Sequence, residues 1–265
     1  MTSEEFSKQF LAQCRQTRKD IIEIFLQTGG GHLASALSTV EILVTLYDHK
    51  MRRGHDKFFL SKGHGCLALY AVLGRLGYFS KTEWSRLGKA GGLLGGHPTS
   101  EIPGVEISTG SLGLAPSVAV GMAAAERLAG SDALIFCLLG DGELNEGSVW
   151  EAAFSAAQHQ LGNLYFFVDC NGYQAYGKTD DVWSLEPLPA KWKAFNWETH
   201  ELDLRQDASL LYRTLQTSVS EKPKVFLCRT SKGMGVPQLE NNPAWHNKTK
   251  LSEQERQVLL EYLNT

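Results

Sequence analysis

The 265-residue sequence lacks a surplus of either charge, with 26 lysines and arginines against 29 aspartates and glutamates. With no basic field, affinity for nucleic acid or for an anionic membrane has no electrostatic source. Cysteine is scarce and odd in number: five residues, Cys14, Cys66, Cys137, Cys170 and Cys228, spread through mostly apolar runs. That pattern fits reduced core thiols better than disulfides or a zinc site, and so points to the cytosol. No apolar run approaches membrane-spanning length, and the opening MTSEEFSKQF is acidic and polar where a secretory leader would be basic and then apolar. No repeat or low-complexity linker divides the chain. No G-x-G-x-x-G follows a strand with a ribose-binding acid downstream, so a dinucleotide enzyme is poorly supported. A soluble protein of one domain is expected, with room for a small polar ligand.

What the sequence does contain is a regular alternation of helical and strand-like segments. A helix is expected from about Ser3 to Leu26, followed by the loop Gly29-Gly30-Gly31 and His32. Ser38-Thr-Val-Glu41 reads as a capping box opening a helix through Tyr47. KFFLS, from Lys57 to Ser61, reads as a short buried strand, with His64 at its junction to the next helix. Beyond a loop rich in glycine and proline, APSVAVGMAAAERLA reads as a small-residue helix. ALIFCLL, from Ala133 to Leu139, reads as the continuously apolar kind of strand that lies centrally in a parallel sheet. The expected fold class is α/β, a three-layer αβα arrangement around a central, mostly parallel sheet, with residues 1–265 forming a single domain. Trp183, Trp192, Trp197 and Trp245 read as core or interface residues.

The stretch GDGELNEGSVWEAAFSAAQHQLGNLYFFVDCNGY, from Gly140 to Tyr173, reads as turn, helix, strand and turn. A crossover helix from about Ser148 to His159 returns the chain into the parallel strand LYFFVD, Leu164 to Asp169. Asp141 and Asn171 then emerge at the carboxyl edge of neighbouring strands, where open α/β sheets bind ligands. Gly140 and Gly142 let backbone approach a phosphate with no Cβ in the way. A carboxylate oxygen, an amide oxygen and one backbone carbonyl are hard ligands suited to octahedral Mg²⁺, leaving places for two phosphate oxygens and a water. A lone Gly-Asp-Gly is as readily an ordinary tight turn. The Asn-Gly that follows a second apolar strand, 30 positions after Asp141, favours a site for a metal diphosphate.

This paired motif resembles that of thiamine-diphosphate enzymes, and its flanks resemble the amino-terminal half of transketolases, particularly those split over two polypeptides. The similar segments span nearly the whole chain: GGHLASALS, FLSKGHGCLALYAVL, GHPTSEIPGVEISTGSLG, LEPLPAKWKAFNW and ENNPAWHNK. The resemblance implies the thiamin diphosphate-binding fold, with Asp141, Asn171 and the carbonyl of Tyr173 as ligands of Mg²⁺ or Ca²⁺. It implies that Gly142 contacts the diphosphate, as Asn171 does through the metal, and that the backbone of Gly110 and Leu112 faces the aminopyrimidine. Glu146 would link the two active sites of a dimer, although a carboxylate in the first turn of a helix is also stabilised by the macrodipole alone.

Four histidines match transketolase active-site positions: His32, His64, His97 and His246. Each lies by a glycine or proline at an element end, where loops carry function, whereas His49, His55, His159 and His200 read as structural or solvated. Imidazoles suit the task of orienting sugar hydroxyls and moving their protons near neutral pH. By resemblance His64 lies near the diphosphate, His97 binds a donor hydroxyl, and His32 and His246 contact substrate during proton transfer.

The implied activity is thiamine-diphosphate- and Mg²⁺-dependent transfer of a two-carbon ketol unit from a ketose or ketose phosphate to an aldose. It places the enzyme among the transferases of aldehyde or ketone residues. The pyrimidine-binding domain and its activating glutamate are expected on a partner chain, in an α₂β₂ cytoplasmic assembly that is inactive without that partner. Several positions depart from the usual pattern: Leu33-Ala34 after His32, Leu114-Ala115 after TGSLG, the glycine-rich KAGGLLGG from Lys89 to Gly96, and LDLRQD from Leu202 to Asp207. They bear on the sugars more than on the cofactor. The second reading is therefore a ketol transferase of a specialised pathway with an altered acceptor, and the third is a non-catalytic partner that keeps the fold for assembly.

Overall fold

In the computed structural model, which describes residues 3–218 and 220–265, the first third of the chain is mainly helical. It comprises α1 (Ser3–Thr28), α2 (Leu33–Leu37), α3 (Val40–Val44), strand β1 (Lys57–Leu60) and α4 (Cys66–Arg75). The alternating part follows with α5 (Leu114–Leu128), β2 (Ile135–Gly140), α6 (Gly147–Gln158) and β3 (Leu164–Cys170). A small hairpin, β4 (Tyr173–Gln174) and β5 (Gly177–Lys178), leads into α7 (Thr179–Trp183) and α8 (Leu188–Ala194). The remaining elements are β6 (Glu198–Asp203), α9 (Leu210–Thr217), β7 (Lys224–Arg229) and α10 (Glu253–Leu263).

Five strands form one sheet in the order β1-β2-β3-β7-β6, and every pairing in it is parallel. The central strands are buried along their whole length, as continuously apolar runs require when both faces of a sheet are covered. Their side chains alternate between two cores. Phe136, Leu138 and Phe167 pack with Ile21, Phe25, Leu69 and Leu73 from α1 and α4, whereas Ile135, Cys137, Leu139 and Phe166 pack with Ala119, Ala153 and Trp192 from α5, α6 and α8. The result is the three-layer αβα arrangement of the thiamin diphosphate-binding fold. All five cysteines are buried and free. Trp192, Trp197 and Trp245 are buried, while Trp183 on α7 stands exposed. Among the described residues no helix is long and apolar enough to cross a membrane.

The capping box expected at Ser38 does not form. Ser38 Oγ donates instead to Asp169 Oδ2 at 2.6 Å and to the Ser35 carbonyl at 3.3 Å, and Glu41 accepts from Arg18, so neither side chain serves the amides at the helix start. The helix starts at Val40 without a side-chain cap and runs on as a π-helical segment, Thr45–Lys50. A true capping box occurs late in the chain, where Ser252 and Glu255 cap α10 reciprocally.

Candidate functional site

Parallel register sets Gly140 opposite Asp169, so the chain leaves β2 at Asp141 and β3 at Asn171 side by side. Both residues are buried. Asp141 Oδ1 accepts the Gly142 amide at 2.8 Å, and Oδ2 accepts the Gly172 amide at 2.7 Å and the Thr179 hydroxyl at 3.3 Å. The Asn171 amide is oriented by Asp169, whose Oδ2 accepts its Nδ2 at 2.9 Å. That contact turns Oδ1 the other way, where the Tyr173 amide donates to it at 3.1 Å.

Around this pair opens a cavity of about 430 Å³ that brings together every residue singled out in the sequence: His32, His64, His97, Gly110, Leu112, Asp141, Gly142, Glu146, Asn171, Tyr173 and His246. The four imidazoles form a cluster, with ring centroids 5.5 Å apart for His32 and His64, 6.3 Å for His32 and His97, 5.6 Å for His32 and His246, and 6.2 Å for His64 and His246. The two ends of the cluster are tied by backbone: Gly31 N donates to Lys248 O at 2.8 Å and Lys248 N to Gly31 O at 3.0 Å. His49, His55 and His200 lie outside the cavity, paired with Gln13, Asp132 and Glu198.

Two lysines in the cavity wall were not singled out in the sequence, although each stands in a recognisable place, Lys62 in SKGHG and Lys232 in TSKGMG. Lys62 is buried against Asp169, which also accepts from the hydroxyls of Ser38 and Thr230. Burial pushes the Asp169 carboxyl up, but the Lys62 ammonium and these donors outweigh it and hold it below the usual range. Burial, reinforced by Lys62, brings the Lys232 ammonium down to about 8. Lys232 Nζ lies 2.7 Å from His246 Nδ1 and 3.5 Å from the Tyr173 carbonyl. Glu143 braces the motif from behind by accepting from the Ser61 hydroxyl and from the amides of Gly113, at 2.9 Å, and Gly140, at 3.1 Å.

The electrostatics favour the neutral imidazole at His64, His246 and His32. Burial and then the Lys62 charge hold His64 well below its ordinary value, and burial and Lys232 bring His246 down to about 4. His32 is lowered by burial and by its neighbour His97. With Lys232 donating to Nδ1, the single proton of neutral His246 resides on Nε2.

A metal diphosphate fits this donor set. Burial, with the Asp169 charge beside it, raises the Asp141 carboxyl to about 6, an environment that a divalent cation would reverse. The lysines and imidazoles supply donors and positive charge for an anion. Of the departures from the expected pattern, Leu33 and Ala34 are buried in the core and Leu114 and Ala115 begin α5; none of the four lines the cavity.

Fold and cavity together place a carboxylate, an amide oxygen, four imidazoles and two ammonium groups at the carboxyl edge of a parallel αβα sheet. The chain belongs to the transketolase family: the model of the family described as "Transketolase, thiamine diphosphate binding domain" matches residues 7–262. Among curated proteins it is 37% identical over 259 residues to one of the subunits of the apulose-4-phosphate transketolase of Phocaeicola vulgatus, covering 94% of this chain and 92% of that protein. It is 36% identical over 252 residues to the 6-deoxy-6-sulfo-D-fructose transketolase subunit SqwG of a Clostridium species, covering 91% of each. Among solved structures it resembles the transketolase of Campylobacter jejuni with a TM-score of 0.88 and 26% identity, covering 97% of this chain and 43% of that one. The chain thus spans less than half of that transketolase.

Proposed function

We propose that this chain is the diphosphate-binding subunit of a two-chain transketolase that uses thiamine diphosphate and Mg²⁺, or Ca²⁺ in its place, to move a two-carbon ketol unit from a ketose or ketose phosphate to an aldose. The observation that carries the reading is the convergence, in one cavity, of Asp141, Asn171 and the Tyr173 carbonyl with four imidazoles and two ammonium groups. Asp141, Asn171 and Tyr173 would hold the metal, and Gly142 with His64, Lys62 and Lys232 would face the diphosphate. Gly110 and Leu112 would bound the aminopyrimidine. When bound, the thiazolium ring supplies an electron sink for carbon-carbon bond cleavage.

The chain's own side chains orient sugars and move protons. His97, exposed at the cavity rim, would receive a donor hydroxyl. His32 and His246 would accept or return a proton at substrate oxygens, and the Nε2 proton of His246 makes it a hydrogen-bond donor in the resting state. Glu146, exposed at the start of α6, is available to a second copy in a dimer.

Residues 1–265 would then constitute one domain, with the pyrimidine-binding domain and its activating glutamate on a partner in a cytoplasmic α₂β₂ assembly that is inactive without it. Two relatives that are named as parts of split transketolases act, by those names, on apulose-4-phosphate and 6-deoxy-6-sulfo-D-fructose, and this favours a specialised pathway as the second reading. A non-catalytic assembly partner would have no use for the full set of cavity donors. The test is calorimetric titration of thiamine diphosphate with Mg²⁺ into the chain mixed with its candidate partner, alongside Asp141→Ala and Asn171→Ala. Saturable, metal-dependent binding lost in both variants is expected. Absence of binding by the folded wild-type complex would move the reading to the non-catalytic partner.

A further inference from the structure

Hairpin β4–β5 sends one side chain back over the floor of the cavity. Gln174, on β4 opposite Gly177, lines the same cavity as Asp141 and Asn171. Its aliphatic stem lies on Gly142 so closely that a Cβ at position 142 would come within 2.7 Å of Gln174 Cβ and 3.6 Å of its Cδ. The second glycine of the Gly-Asp-Gly turn therefore makes room for a side chain of this protein as well as for a ligand. At the end of that stem, the amide nitrogen is buried and has no hydrogen-bond partner.

A buried donor left unpaired is costly, and in native proteins such groups are rare enough to require an explanation. Among the described residues lining the cavity, Gln174 is the only one with a buried side-chain nitrogen or oxygen in this condition. Lys62 and Lys232 across the cavity offer no acceptor, and the carboxylates of Asp141 and Glu143 already accept from the amides of Gly142, Gly172, Gly113 and Gly140, so a ligand entering the cavity is the natural source of an acceptor for this donor. Sugar hydroxyls and phosphoryl oxygens both accept. The position of Gln174 on Gly142, next to Asp141, selects the phosphoryl oxygen.

We propose that Gln174 is a diphosphate-contacting residue whose Nε2 donates to a phosphoryl oxygen of the metal diphosphate seated at Asp141 and Asn171. This rests on the function proposed above, because it takes that diphosphate as the ligand. The contact ties the β4–β5 hairpin, whose turn carries the 91% exposed Tyr176, to the occupancy of the cavity floor.

The experiment is calorimetric titration of the full chain, mixed with its candidate partner, with Mg²⁺ plus thiamine diphosphate and, separately, with Mg²⁺ plus inorganic pyrophosphate. Gln174→Met retains the length of the side chain without the donor, and Gln174→Glu places a negative charge where the donor was. Circular dichroism and thermal unfolding establish that each variant is folded, and either one suffices for the comparison. A hydrogen bond to a charged acceptor predicts about tenfold or more weaker binding of both ligands by Gln174→Met, and a larger loss with Gln174→Glu. Wild-type affinity for both ligands in a folded variant overturns the proposal and leaves the functional reading standing. A folded wild-type complex that binds neither ligand overturns both.

Discussion

Asp169 lies behind the cavity wall and holds two of the side chains that form it, the Lys62 ammonium and the Asn171 amide. Replacing it with asparagine would leave Lys62 buried without a counter-charge, a change that typically costs about 3–5 kcal/mol. The Asp169→Asn variant is therefore expected to unfold at clearly lower denaturant concentration, and an unchanged midpoint would contradict the buried pairing. Because Asp169 also aims the Asn171 oxygen, the same variant should bind metal diphosphate about 10–100-fold more weakly. His246 offers a separate test through its proton. Its folded value of about 4 lies below the ordinary 6.5, so the folded chain resists protonation and loses stability from this group as the pH falls from 6.5 towards 4. Nitrogen-15 shifts of its ring should report titration near 4. A transition at 6 or above would remove the neutral imidazole from the proposed proton transfer.

Elements whose boundaries are written in their own residues were legible in the sequence. The apolar runs of β2 and β3 and the small-residue helix α5 stand within a residue or two of their expected ends, and with them Asp141 and Asn171 fall at the expected edge. The local pattern at Ser38 misled because Asp169 and Arg18, distant in sequence, claim the two side chains that the capping box needed. Lys232 and Gln174 were not legible as cavity residues for a related reason: each reaches the cavity from an irregular loop or a two-residue strand, where no period fixes side-chain direction. Asp169 looked like the last residue of a strand, which it nearly is, and only the packing of Lys62 against it shows its second role. At the junction of two elements, Gly113 precedes α5 with φ of 80°, and a Cβ there would come within 2.5 Å of Ser148 Oγ and 2.7 Å of Glu146 Cβ at the start of α6. Gly113→Ala combines a left-handed backbone with a steric clash, so a loss of about 2 kcal/mol or more is expected in chemical denaturation. A neutral result would mean that the α5 and α6 starts yield more freely than their contact indicates.

On the scale of the whole molecule, α5 and α6 pack side by side and leave Leu114, Val118 and Phe154 exposed. Leu114 and Val118 share one face of α5, four residues apart. In the proposed α₂β₂ assembly this apolar surface would lie between protomers. Leu114→Asp and Phe154→Asp should therefore lower the assembly's sedimentation coefficient while leaving the circular dichroism of the chain intact. Unchanged association would place the contact elsewhere. The Gly31–Lys248 bridge carries a consequence for synthesis. It joins the loop that presents His32, made before any of the five strands, to the segment that presents His246, made after all of them. While translation is in progress the five strands can already be present on the ribosome, yet the cavity still lacks one of its walls. Chains not yet extended through Lys248 would thus be poor traps for a ligand of this cavity, and ligand capture would follow synthesis of that segment.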